Sequence, residues 1–178
     1  GRCNFENQSI MYVSTTPFNL PFETNAELGD LVTETTWQWK NKFSLSVAPI
    51  FKNNSEIDTT FDISSRLEKD ISHLSKSYQK FVHYSMQFLA DEFSKKVKQN
   101  DYSEYLFTAN ASNNFLFQKN LQGFQGILYP SVPTQGTTWN LAILPDVFDA
   151  NYELVEVNEG IIVTTPHNSP GGYFKHST

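Results

Sequence analysis

The chain has 178 residues, 39% of them apolar and 15% aromatic, enough for one domain with its own hydrophobic core and too apolar for a disordered tail. Its net charge of −6 and isoelectric point near 5.1 exclude broad binding to a nucleic-acid backbone, which needs a basic face. The single cysteine, Cys3, excludes an internal disulfide framework, and the lack of any apolar run of about eighteen residues excludes a membrane-spanning helix.

The first predicted element is a strand over 9–13, in which Ile10, Met11, Tyr12 and Val13 follow one another. Proline suits the first turn of a helix, so a helix is expected to open near Pro17 or Pro21. It would carry Phe22, Glu23, Ala26, Glu27 and Leu28 and end near Gly29. Residues 31–39 and 43–51 read as β-segments, the second alternating Phe43, Leu45 and Val47 with Ser44 and Ser46. Residues 52–60 read as a polar turn. Helical spacing of apolar residues follows over 63–74 and 78–97, with Phe81, Tyr84, Phe88 and Phe93 in the second stretch. Lys95, Lys96 and Lys98 would complement the dipole at its end. Residues 102–117 make a third helix candidate. Strands are expected at 126–129 and 139–144, with further β-content at 154–157 and 161–164. Residues 165–178, rich in Pro, Gly, Ser and His, read as a flexible tail behind a domain over 1–164. Strands at both ends of a helical middle imply an α+β domain with a mixed or antiparallel sheet. No Gly-x-Gly-x-x-Gly fingerprint occurs, which argues against a Rossmann dinucleotide domain.

Several residues carry candidate chemistry. The buried-looking run Gly126-Ile127-Leu128-Tyr129-Pro130 ends in Ser131, and a loop with Gly136 leads back into Trp139-Asn140-Leu141-Ala142-Ile143-Leu144. Such a serine either binds a ligand or caps a turn. No Gly-x-Ser-x-Gly elbow surrounds it, so it does not read as an acylating nucleophile. Arg2 and Arg66 are the two arginines among otherwise lysine cations, and arginine grips phosphate bidentately. Arg66 falls in a predicted helix. Tyr12 ends the first strand, where a tyrosine stacks on a ring or packs as a half-buried aromatic. Glu23, and Glu27 one helical turn on, are alternative carboxylates near a helix start. Trp37, Trp39 and Trp139 are ring-stacking candidates, with core filling as the ordinary fate. His73 and His83 read as helix-surface histidines. His167 and His176 have no zinc-like spacing, and Glu104, Glu153, Glu156 and Glu159 read as solvated carboxylates.

Gly1-Arg2-Cys3-Asn4, then Ser9-Ile10-Met11-Tyr12-Val13-Ser14, then Leu20-Pro21-Phe22-Glu23, and finally Tyr129-Pro130-Ser131-Val132 with Trp139-Asn140-Leu141 resemble, in order and spacing, the RES family. That family is named for an arginine, a glutamate and a serine. The resemblance spans about residues 1–157 and implies an ADP-ribosyltransferase-like fold and an NAD-degrading bacterial toxin acting in the cytoplasm. It assigns catalysis to Arg2, Tyr12, Glu23 and Ser131, with Arg2, Asn4, Tyr12 and Ser131 binding NAD. Glu23 is preferred to Glu27 because Leu-Pro-Phe-Glu matches the family's glutamate pattern better.

The implied reaction cleaves the nicotinamide–ribose bond. Nicotinamide leaves as a neutral molecule from a cationic centre, so no general acid is needed, and Glu23 would stabilise the oxocarbenium-like sugar left behind. NAD is then substrate rather than cofactor, and no metal is expected. Water, phosphate or a protein side chain would be the acceptor, giving hydrolysis, phosphorolysis or protein ADP-ribosylation. An antitoxin protein is the expected partner, with no nucleic acid and no membrane. The alternative is a catalytically silent ligand-binding or interaction domain on the same fold. The chain opens on a motif residue without a methionine and shows no signal peptide, so it reads as a piece whose upstream part is missing.

Overall fold

In a computed structural model, residues 1–53, 55–97, 102–117, 123–163 and 174–176 are described. Among the described residues, two sheets and six α-helices form a mixed α+β architecture. The first sheet has the order β1 (Met11–Ser14), β5 (Trp139–Ile143), β4 (Gly126–Pro130), β3 (Val47–Pro49). It is mixed: β1–β5 and β5–β4 are antiparallel and β4–β3 is parallel. The second sheet is antiparallel, with β2 (Leu31–Trp39) against β6 (Tyr152–Ile162) and β6 against β7 (Phe174–His176).

Strand β4 is buried along its whole length, as its unbroken apolar run requires. Alternation along it sorts the core. Ile127 and Tyr129 join Cys3, Ile50, Phe93 and Leu116 in one cluster, while Leu128 joins Phe51 and Ile57 in the other. The first cluster holds α4 (Lys76–Phe93) and α5 (Leu106–Phe117) to the sheet; the second holds α2 (Glu56–Phe61) and α3 (Ile63–Ile71). Gly126 is needed where β4 meets β5, because a Cβ there would lie 2.8 Å from the Ala142 carbonyl oxygen.

Capping fixes several ends. Ser75 starts α4 by accepting from the Tyr78 N–H at 3.3 Å, and Ser55 starts α2 by accepting from the Asp58 N–H at 3.4 Å. Thr16 does the same for the 3₁₀ turn Pro17–Asn19, accepting from the Phe18 N–H at 3.1 Å. That turn runs into α1 (Leu20–Glu23).

The structure departs from the sequence pattern in several places. The helix expected as far as Gly29 stops at Glu23, and Asn25 adopts φ 51° just beyond it. Residues 43–51 yield only the strand Val47–Pro49, and Phe43 is exposed despite the alternation. The expected polar turn at 52–60 contains α2, whose serine cap lies inside a run of Asn, Ser and Thr. A helix not anticipated, α6 (Pro145–Asn151), opens on a proline at its first turn. The two short β-segments expected at 154–157 and 161–164 belong to one strand, β6. Of the expected tail, 165–173 and 177–178 lie outside the described residues, while Phe174–His176 form β7.

The tryptophans serve packing. Trp37 meets Phe148 edge-on at 4.9 Å, Trp39 meets Tyr152 at 5.1 Å, and Phe148 stacks on Tyr152 at 4.7 Å, tying β2 and β6 to α6. Trp139 packs on Phe61 at 5.3 Å.

Candidate functional site

The first eight residues form a turn rather than a strand, and polar side chains hold it. The Cys3 N–H donates to the Tyr12 hydroxyl at 2.9 Å, and that hydroxyl donates to Asn4 Oδ1 at 2.8 Å. Asn4 Nδ2 donates to the carbonyls of Phe5 and Gln8 at 3.0 and 2.8 Å. Asn4 therefore orients Tyr12 and closes its own loop. Burial holds the Tyr12 hydroxyl well above the ordinary tyrosine range, with the Cys3 side chain adding to the shift. Burial also pushes the Cys3 thiol up to about 12, so it is no nucleophile near neutrality.

Arg2 reaches the C-terminal end of α4. Its guanidinium donates to the carbonyls of Glu92 at 3.5 Å and Lys95 at 3.0 Å and lies 5.2 Å from the centre of the Tyr105 ring. A cation there satisfies orphan carbonyls and meets the negative end of the helix dipole. Lys95, expected to complement that dipole, instead pairs with Glu92 one turn back, and Lys98 lies outside the described residues.

Glu23 is the last residue of α1 and keeps access to solvent. Its Oε1 accepts from Ser131 Oγ at 2.6 Å and from Asn140 Nδ2 at 2.7 Å. Asn140 Oδ1 in turn accepts from Asn19 Nδ2 at 2.7 Å. Ser131, Asn140 and Asn19 are 1%, 6% and 0% exposed, so this polar chain runs from the solvent edge into the interior. Ser131 is locked by its backbone as well. Its N–H donates to the Thr138 carbonyl and its carbonyl accepts from the Gly136 N–H, both at 2.8 Å. The loop turns through Gln135 at φ 56° and Gly136 at φ 83°, which is why a glycine stands there.

Two adjoining clefts flank this chain. The smaller, about 480 Å³, is lined by Arg2, Tyr12, Glu23, Tyr105, Tyr129 and Asn140. The larger, about 1080 Å³, is lined by Ser131, Glu27, Phe51 and Lys52. Phe22, Asn25, Lys96, Val132 and Pro133 belong to both. Burial, with Cys3, Tyr12 and Glu23 close by, holds the Tyr129 hydroxyl well above its ordinary range, so the smaller cleft offers neutral rings around one carboxylate.

Arg2, Tyr12 and Glu23 thus share one cleft, Ser131 touches Glu23 from the other, and Asn4 supports Tyr12. Glu27 lies on the larger cleft only, because α1 ends before reaching it; its N–H donates to Asp30 Oδ2 at 2.7 Å. Arg66 and His73 are exposed, and His83 faces Glu68 at 3.1 Å. His167 lies outside the described residues. None of the three tryptophans lines either cleft.

The sequence reading missed Asn140 and Asn19 as site residues, and Lys96 and Tyr105 as lining. The available signal was Asn140 itself, an amide inside an apolar strand sequence, where asparagine is disfavoured. Among the described residues no group of three or more His, Cys, Asp or Glu can hold a metal, and no helix is long and apolar enough to cross a membrane. Comparison with family models, with curated proteins and with solved structures finds no match to this chain.

Proposed function

We propose that the chain is an NAD-cleaving enzyme of the RES type on an ADP-ribosyltransferase-like fold, breaking the nicotinamide–ribose bond with water or phosphate as acceptor. One observation carries the reading. Glu23 and Ser131, 108 positions apart, are joined at 2.6 Å beside a cleft that Arg2 and Tyr12 also line. These are the residues that the resemblance singled out.

In this mechanism the nicotinamide ring packs against Tyr12 and leaves without protonation. Glu23 faces the sugar as positive charge develops on it, and stabilises the transition state more than the substrate. Ser131, held on Glu23, orients the ribose. Arg2 and Lys96 provide the positive charge for the pyrophosphate, and the larger cleft takes the rest of the dinucleotide. Toxicity through loss of cytoplasmic NAD, restrained by an antitoxin protein, belongs to the same proposal.

The test is nicotinamide release from NAD, with and without phosphate, beside Glu23→Gln. Release should fall by about 10²–10³-fold in the variant, as for loss of one preorganised electrostatic group. NAD binding by calorimetry should survive. Equal release by wild type and variant would end the role of Glu23. Arg2 gives a second reading specific support, since its guanidinium already donates to two backbone carbonyls. A domain that binds the ligand without cleaving it would show NAD binding and no nicotinamide release. A protein ADP-ribosyltransferase would release nicotinamide only when an acceptor protein is present.

A further inference from the structure

Resting on that reading of the site, we infer that Asn140 is a positioning residue for the Glu23 carboxylate and that Asn19 locks the orientation of Asn140. A relay of two buried amides thereby decides where the negative charge stands. Asn140 lies on β5, between Ser14 of β1 and Tyr129 of β4 in register. An asparagine in that place does nothing for sheet packing.

Both ends of its amide are used. A carboxylate only accepts, so the amino end of Asn140 must face Glu23. The carbonyl end accepts from Asn19. Turning the Asn140 amide over would set its oxygen against the carboxylate and its amino group against the amino group of Asn19. Asn19 therefore makes one orientation the stable one.

The arrangement is costly for the fold. Asn19 Oδ1 is buried with no hydrogen-bond partner, and Asn19 makes no side-chain cap to α1. Apolar residues of similar size at both positions would avoid that orphan acceptor without stranding a partner, so stability alone does not account for the pair of amides. Both donors to Glu23 converge on Oε1. That ties one oxygen of the carboxylate to two buried donors at the wall of the smaller cleft, which Glu23 lines.

Two variants test this, each assayed for nicotinamide release from NAD with kcat and KM separated, beside Glu23→Gln. Asn19→Leu removes the lock; it removes the orphan acceptor of Asn19 but strips Asn140 Oδ1 of its donor, so the two effects offset. It should melt near the wild-type temperature while kcat drops by on the order of 10²-fold, as expected for a displaced reacting group, with KM little changed. Asn140→Asp keeps the shape and the acceptor for Asn19 but sets a second carboxyl against Glu23. Two carboxyls so placed share a proton, so activity should be low near neutrality and climb with pH as the pair ionises. The other titratable groups facing Glu23 in this cleft are Arg2, Tyr12, Lys96, Tyr105 and Tyr129. Tyr12 and Tyr129 are held above their ordinary range and stay neutral through that climb.

Wild-type kcat and an unaltered pH profile in both variants, with Glu23→Gln inactive, would overturn the positioning role and leave the cleavage reading standing. A lower melting temperature that accounts for the loss in Asn19→Leu, with no new pH dependence in Asn140→Asp, would also overturn it. No nicotinamide release by the wild-type chain would overturn the cleavage reading, and the positioning role with it.

Discussion

Arg2 satisfies carbonyls at the end of α4 and packs over Tyr105, so its removal reaches beyond any ligand. Arg2→Ala should lower stability by about 1–2 kcal/mol, the combined scale of a helix-terminal cation and a cation–π contact, as read by urea denaturation. Arg2→Lys should recover only part, because lysine lacks the fork that spans two carbonyls. Cys3 gives a prediction in pH. Its folded value of about 12 lies above the ordinary 9.0, so the unfolded chain loses this proton first and binds fewer protons above pH 9. Stability should therefore fall by about 1.4 kcal/mol per pH unit between pH 9 and 12, on top of the tyrosine terms that begin near pH 10. Below pH 9 the group contributes no slope. Cys3→Ala should remove the onset near pH 9 in a series of thermal melts. At this scale the sequence showed residue types but not their partners. Arg2 stood out by scarcity, whereas its acceptors are backbone carbonyls about ninety positions away, which no side-chain pattern reveals.

Among the elements, β4 was the most legible, because a fully buried strand reads as a continuous apolar run. Helices α3 and α4 were legible for the matching reason, helical spacing of apolar residues, although α4 stops at Phe93 rather than at Val97 and leaves Phe81, Tyr84 and Phe88 exposed. Helix α5 is apolar on more than one side, with Leu106, Phe107 and Phe117 exposed, so spacing alone did not define its buried face. The end of α1 was not legible. Glycine at 29 is the familiar stop signal, but the chain leaves the helix at Thr24 and takes a left-handed turn at Asn25. That early stop separates Glu23 from Glu27 and puts only Glu23 beside Arg2 and Tyr12. Phe43–Phe51 misled through alternation, which measures the pattern and not whether a neighbouring strand is there to pair with. Gly126 tests the β4–β5 junction. Gly126→Ala would bring a Cβ against the Ala142 carbonyl, and the backbone of two central strands cannot yield cheaply. A loss of about 1–3 kcal/mol is expected in denaturant melts, with a matching loss of the proposed nicotinamide release, because Asn140 lies on β5 and Ser131 directly follows β4. Unchanged stability would mean that β4 and β5 slide apart freely.

For the whole molecule, the α+β class follows from strands at both ends of a helical middle, and it was readable at that level. The division into two sheets was not, because it depends on which strands pair across long separations. The candidate site depends on the same pairing: β5 lies between β1 and β4 and so carries Asn140 to Glu23, while the turn after β4 brings Ser131. The second sheet carries none of Glu23, Ser131, Asn140 and Asn19; Ile162 at the end of β6 bonds Gly29 and Asp30, and β7 contacts β6 at Gly160–Ile162. Removing residues 164–178 should therefore speed amide exchange at the β6 edge while leaving nicotinamide release by the remainder unchanged. The most direct measurement is a proton NMR time course of NAD with the purified chain, following free nicotinamide and the ribose anomeric signal together. The result expected is steady appearance of nicotinamide with wild type and about 10²–10³-fold slower appearance with Glu23→Gln. NAD left intact by well-folded wild-type protein, or lost equally fast with the variant, would contradict it.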